Sequence, residues 1–234
     1  EKKAIEALPE EERGAATAPA FEGGDLRNGM PSLPGAICRV RREKGRLLAD
    51  TIGEKRPRGV CGTGAVSTLC LLLREGKMDR DGLLEEPYFS QGFPLWMLSQ
   101  RDRICICQED VRKLQMAKGA VAAGIEILLG EAGLVPEQMR AVYLAGGMGC
   151  ALDPAEAAEI GLIPGGFAAI CHPAGNSSLE GVCRYLINPE MAKEKLGEIT
   201  ERAEVIQMAE HRDFQEKFLA HMAFPETGTR TAPR

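Results

Sequence analysis

The sequence predicts an α/β protein, and three observations carry that prediction. Short apolar runs rich in strand formers, at 141–144 and 167–171, read as buried strands. Stretches whose apolar residues recur at steps of three and four, above all 109–129, read as helices between them. Paired glycines, Gly146 and Gly147 with Gly149 close behind, end the first of those strands and turn the chain.

Taken in order, residues 1–34 hold charge and then Ala, Pro and Gly every few positions, which forbids a long helix and predicts a loop-rich opening segment. Residues 35–52 read as a hairpin, with alternation over 36–41, a turn at 43–45 and a return over 47–52. Gly59-Val60-Cys61-Gly62-Thr63-Gly64 leads into an apolar helix over 65–73 that stops near Gly76. Residues 77–102 are polar and irregular, with Trp96 in their later part, and 103–107 is a short strand. The helix over 109–129 has Gln108, Glu109 and Asp110 at its start and Gly130 and Gly133 past its end. Asp153-Pro154 starts a helix over 155–160, and Gly175-Asn176-Ser177-Ser178 caps another over 179–186. A helix over 190–202, a strand over 203–208 and a helix over 212–222 follow, before a tail over 226–234 expected to be disordered.

Composition narrows the function. Only 5% of the 234 residues are aromatic, with one Trp, so stacking platforms for single-stranded nucleic acid are not expected. A net charge of −5 leaves no basic face to release the counterions of a nucleic acid, so the expected partners are small molecules or proteins. No apolar run reaches membrane-spanning length and the N-terminus is charged, which predicts a cytoplasmic chain with no membrane partner. The first residue is Glu1 rather than Met, so a fragment or processed chain is expected. Eight cysteines stand singly, without a Cys-x-x-Cys pair, and read as buried reduced thiols rather than as a metal or iron–sulfur site. Cys105 and Cys107, two apart in a strand, are expected to point to one face.

Two glycine turns are candidate ligand sites. At Ala145-Gly146-Gly147-Met148-Gly149 the missing Cβ atoms let a flat or anionic ligand approach main-chain N–H groups; a turn needing glycine for its geometry alone is the other reading. At Gly62, Thr63 and Gly64 a helix N-terminus offers an anion site or a plain cap, and the absence of a following Lys-Ser or Lys-Thr excludes a Walker-type loop. Lys118 falls on the apolar stripe of the long helix with Val111, Leu114, Val121, Ile125 and Leu128; it either snorkels to the helix edge or faces a phosphate or purine. Gly119 and Gly124 in the same helix suggest close packing against another element. The histidines form no catalytic constellation, and no catalytic residue or metal ligand is assigned.

Several of these segments occur together in a set order: Pro19-Ala20-Phe21-Glu22-Gly23, Gly35-Ala36-Ile37, the 59–64 turn, the 110–120 stretch Asp-Val-Arg-Lys-Leu-Gln-Met-Ala-Lys-Gly-Ala, the 144–149 turn, Ile160-Gly161-Leu162-Ile163-Pro164 and Gly175-Asn176. The set, from about residue 14 to 224, resembles the C-terminal region of the reductive activators of corrinoid proteins, whose nucleotide domain belongs to the acetate and sugar kinase, chaperone and actin superfamily. The resemblance implies a ribonuclease H-like, actin-like ATPase second lobe over 35–225, a mixed sheet flanked by helices, incomplete at its N-terminus. It implies ATP with Mg as cofactor, adenosine lying on Gly146 and Gly147, and polar contacts from Lys118 and Gln115. It implies a homodimer whose partner is a corrinoid protein. Activators of this kind use ATP to drive an electron from an N-terminal iron–sulfur domain onto Co(II) corrinoid, restoring the Co(I) form for methyl transfer.

The sequence also departs from that pattern. It lacks the Asp-Ile-Gly-Thr-Asn-like phosphate segment, the first nucleotide lobe and the cluster-bearing domain, and Met148 stands where the family usually has Phe. Thr17, where the family often has Gly, and Ala18 imply a different loop before Pro19. The chain alone is therefore expected neither to hydrolyse ATP nor to reduce a corrinoid. Two alternatives stand beside this reading: an activator ATPase of a radical dehydratase, against which the scattered cysteines argue, and a non-catalytic docking or dimerisation module.

Overall fold

The computed structural model describes residues 18–99 and 102–226; the expectations for 1–17 and for the tail beyond 226 lie outside the described residues. After a helical turn, α1 (Ala18–Phe21), the predicted hairpin forms from β1 (Ala36–Glu43) and β2 (Arg46–Thr51). Lys44 and Gly45 both take positive φ, 48° and 79°, as a two-residue hairpin turn requires. The short β3 (Gly59–Val60) lies parallel to β1 on its other side, giving the order β2-β1-β3.

Beneath this sheet runs α2 (Gly62–Arg74), buried along its whole length except Arg74. Only a helix apolar nearly all round can do this, and Ala65, Val66, Leu69, Cys70 and Leu72 are each 0% exposed. Its two interior hydroxyls are satisfied: Thr68 Oγ1 donates to Gly64 O at 2.7 Å, and Ser67 Oγ accepts the Val40 N–H at 3.1 Å. On its far side Cys70 Sγ donates to the carbonyl of Glu156, which ties α2 to α6 (Pro154–Glu159).

The stretch over 77–102 is more ordered than its polar composition predicts. It holds a helical turn, α3 (Tyr88–Gln91), and a strand, β4 (Phe93–Met97), antiparallel to β5 (Arg103–Ile106). Pro94 concealed the strand, yet it is accommodated where the register shifts between Pro94 and Trp96. Helix α4 (Gln108–Glu131) forms where predicted, starting one residue earlier and ending two later, but its buried face is offset. Val111, Leu114, Lys118 and Ile127 face inward, whereas Val121 and Leu128 are 44% and 51% exposed. Gly119 does pack closely, its added Cβ falling 3.2 Å from the Phe218 carbonyl; at Gly124 nothing lies within 4 Å, so that expectation fails.

The second half diverges further. β6 (Val142–Ala145) pairs in parallel with β7 (Cys171–Gly175), but Tyr143 is 71% exposed, so β6 is not the buried strand its apolar residues predicted. The two strands form a sheet of their own, too narrow to bury both faces. Residues expected as a strand at 167–171 instead make a 3-10 helix, Gly165–Ile170, and the strand begins at Cys171. The glycines of the 146–149 turn open a helix, α5 (Gly146–Ala151). α6 is capped as predicted, Asp153 accepting the Ala155 N–H at 3.0 Å. Asn176 and Asn188 likewise cap α7 (Ser177–Ile187) and α8 (Pro189–Arg202). No strand forms at 203–208, where Val205 is 81% exposed with no neighbour to pair with, and α9 (Phe214–Ala220) closes the fold. No helix of the described residues is long and apolar enough to cross a membrane.

Cys61, Cys70 and Cys105 are buried thiols, while Cys150 and Cys183 are exposed, against expectation. Burial pushes the Cys70 and Cys105 thiols up and so keeps them protonated. Cys107 leaves the strand to become the residue before α4, its Sγ 3.0 Å from Asp110 Oδ2, and does not share a strand face with Cys105.

Candidate functional site

The turn after β6 is open. Ala145 is extended (φ −107°, ψ 164°) and Gly146 turns at φ +82°, a left-handed conformation that a side chain would strain. A Cβ built on Gly146 or on Gly147 meets nothing within 4 Å, so the backbone surface here is unobstructed. It lies at the carboxyl end of the parallel strands β6 and β7, the end at which α/β sheets take their ligands. Gly149 is tighter, its added Cβ falling 3.3 Å from the Leu144 carbonyl carbon.

Gly62, Thr63 and Gly64 sit differently. All three are buried, and a Cβ would fall 1.6 Å from the Phe21 carbonyl at Gly62 and 2.1 Å from the Ile37 carbonyl at Gly64. Glycine is needed here for backbone packing, and the start of α2 presents no open anion site. The two glycine segments are nevertheless neighbours, since the same Gly62 Cβ would stand 3.3 Å from Met148 Sδ. Met148 thus packs the open turn down onto the closed one.

Lys118 and Gln115 are brought together, but not at an open cleft. Lys118 is 1% exposed and Gln115 2%. The Lys118 ammonium donates to the carbonyls of His221 and, at 2.7 Å, Ala223, and lies 5.2 Å from the Phe224 ring centre. Gln115 Nε2 donates to the Met222 carbonyl at 3.2 Å and to that of Asp81 at 3.0 Å. Arg80 Nε reaches the Phe224 carbonyl at 3.3 Å, and Phe224 N–H returns a bond to Arg80 O at 2.8 Å. Every carbonyl from 221 to 224 is therefore held by a side chain, and Phe224 is 0% exposed. These two residues fasten a C-terminal strap, which corrects the expectation that they face a ligand. Burial also pushes the Lys118 pKa down to about 8.

No local pattern announces the strap, because Lys118 and its acceptors are more than a hundred residues apart. Two of the three histidines support it: His221 Nε2 pairs with Glu126 at 2.6 Å and His211 Nε2 with Glu131 at 3.2 Å. These pairs border a cavity of about 840 Å³ between the C-terminal half of α4, the 158–165 loop and the strap. Among the described residues no three His, Cys, Asp or Glu side chains converge as a metal site would need.

Comparison with known proteins gives this geometry its context. Residues 13–234 match the protein family described as the C-terminal domain of RACo, the ASKHA domain. The chain belongs to this family. A solved structure, a reductive activator for a corrinoid, iron–sulfur protein, superposes on the RACo-type ASKHA domain with a TM-score of 0.79 at 30% identity, over 88% of this chain and 35% of that one. The corrinoid activation enzyme RamQ of Eubacterium limosum is 31% identical over 196 residues, 76% of this chain and 33% of RamQ. A [Co(II) methylated amine-specific corrinoid protein] reductase of Methanosarcina barkeri is 27% identical over 234 residues, 90% of this chain and 41% of the reductase. The chain thus spans about a third to two-fifths of the length of the relatives it matches. The actin-like ATPase class expected from sequence is the class found, and the relatives are corrinoid activators rather than dehydratase activators.

Proposed function

We propose that this chain is the C-terminal, nucleotide-facing lobe of an ATP-dependent reductive activator of a corrinoid protein, working in the cytoplasm. The observation that carries the reading is the unobstructed backbone at Gly146 and Gly147, at the carboxyl end of β6 and β7, whereas the candidate turn at 62–64 is closed by packing. Adenosine fits there because a flat base can lie on a surface that carries no side chain. The described residues offer a platform for adenosine, and neither ATP hydrolysis with Mg nor electron transfer to Co(II) is assigned to them. Isothermal titration of the chain with ATP and ADP tests this. Measurable binding is expected, with no turnover, and is abolished by Gly147→Trp without change in the melting temperature. A folded chain that gives no heat with either nucleotide would remove the adenosine site and leave a docking module.

Homodimerisation is supported by the hairpin of α7 and α8. Neither helix has a buried residue, and Leu179, Val182, Leu186, Ile187, Leu196 and Ile199 are each more than half exposed. So much apolar surface in one hairpin is the mark of an interface. Light scattering is expected to give twice the chain mass of 25.3 kDa, and Leu186→Asp with Ile187→Asp to give a monomer. A wild-type monomer at high concentration would exclude this interface.

A further inference from the structure

The turn after β2 carries a second surface. Between residues 38 and 58 stand eight Lys and Arg against three Asp and Glu, in a chain whose net charge is −5. Arg39, Arg41 and Arg42 are engaged by Asp153, Asp50 and Glu75. Lys44, Arg46, Lys55, Arg56 and Arg58 have no acidic partner among the described residues, and all five are exposed.

Two of them line a cleft. Lys55 and Arg56, with Ala49, Thr51, Pro57 and Trp96, border a cavity of about 620 Å³ at the edge strand β2. The only Trp of the chain is 40% exposed here, and its neighbour Met97 is 54% exposed. Trp, Met and Arg together are the residues enriched where proteins bind proteins, the ring supplying a rigid apolar anchor and the guanidinium a carboxylate clamp. The backbone that raises the two cations is itself unusual. Gly53 and Glu54 both adopt left-handed φ, 68° and 53°, and such a conformation at a glutamate is costly. Arg56 is steadied by a bond to the Leu98 carbonyl at 3.2 Å, so its head group is positioned rather than loose.

We propose that this cleft docks an acidic segment of a partner protein, an apolar side chain of which rests on Trp96 while flanking carboxylates meet Lys55 and Arg56. Charge complementarity selects the partner: outside residues 38–58 the chain holds 21 Lys and Arg against 31 Asp and Glu, so the net positive charge lies in this stretch. Nucleic acid fits less well, because one ring makes no stacking platform and the long-range field of the chain is negative. Asp50, held by Arg41, does not compete for the two cations. Glu54, which also borders the cleft, favours an uncharged group at its end of the segment.

The single Trp makes the cleft its own reporter. Its fluorescence is titrated with three probes: the acetylated peptide Glu-Glu-Leu-Glu-Glu, the same peptide with Lys for Glu, and a ten-nucleotide single-stranded RNA. A saturable change is expected with the acidic peptide only, weakening with added salt. Lys55→Glu with Arg56→Glu is expected to lower the affinity at least tenfold at an unchanged melting temperature, and Lys55→Gln with Arg56→Gln to fall between. No saturable change, equal affinity in the reversed-charge variant, or tighter binding of the RNA would each overturn the proposal.

Discussion

Lys118→Met is expected to destabilise the chain by about 3–5 kcal/mol and to remove the pH dependence of stability expected from a buried lysine. Methionine fills much the same volume, so the loss is of hydrogen bonding rather than of packing. The carbonyls of His221 and Ala223 lose their donor within a buried site, and each orphaned carbonyl costs roughly 1–3 kcal/mol. The sign of the pH effect follows from the depressed pKa. An unfolded lysine keeps its proton up to 10.5, whereas Lys118 in the fold releases it from about 8. Between these values the unfolded chain binds more protons, so stability rises with pH. The rise is at most about 3 kcal/mol, the worth of the shift between the two values. Urea unfolding at pH 7, 9 and 10.5 reads both effects. A methionine variant as stable as the natural chain would mean that the strap is held without Lys118, by Gln115, Arg80 and the burial of Phe224, and an unchanged slope would mean that another group carries the pH dependence.

The strap also shows what a sequence can and cannot reveal. That Lys118 sits on an apolar stripe was legible from its spacing, and its burial follows from that position. What it binds was not, because its partners are backbone carbonyls more than a hundred residues away. A nucleotide is the natural guess for an inward lysine only while no protein acceptor is known. The same limit applies to β4, whose Phe93 and Leu95 alternate correctly but share the strand with a proline that speaks against pairing. It applies in reverse to β6, since apolar residues predict a strand well but not whether a neighbour covers it. Helix caps were the most readable features, because Asp153 and Asn176 act within three residues of themselves.

Gly62→Ala and Gly147→Ala are expected to behave oppositely, although both residues stand in glycine-rich turns at the start of a helix. The Gly62 Cβ would lie 1.6 Å from the Phe21 carbonyl oxygen, inside any possible contact distance, and the atom it meets is backbone. Either α1 or the start of α2 must move, and both line the core, so a loss of about 3 kcal/mol or more is expected. At Gly147 the added methyl meets nothing within 4 Å, and alanine is the better helix former by about 0.5–1 kcal/mol. Its stability should therefore match or slightly exceed that of the natural chain in a urea melt. A glycine that the fold does not require leaves the backbone bare at that point, which is the property the adenosine reading uses. Equal destabilisation by the two substitutions would show that the 146–149 turn, like the 62–64 turn, is glycine for packing, and would withdraw the support it gives to nucleotide binding.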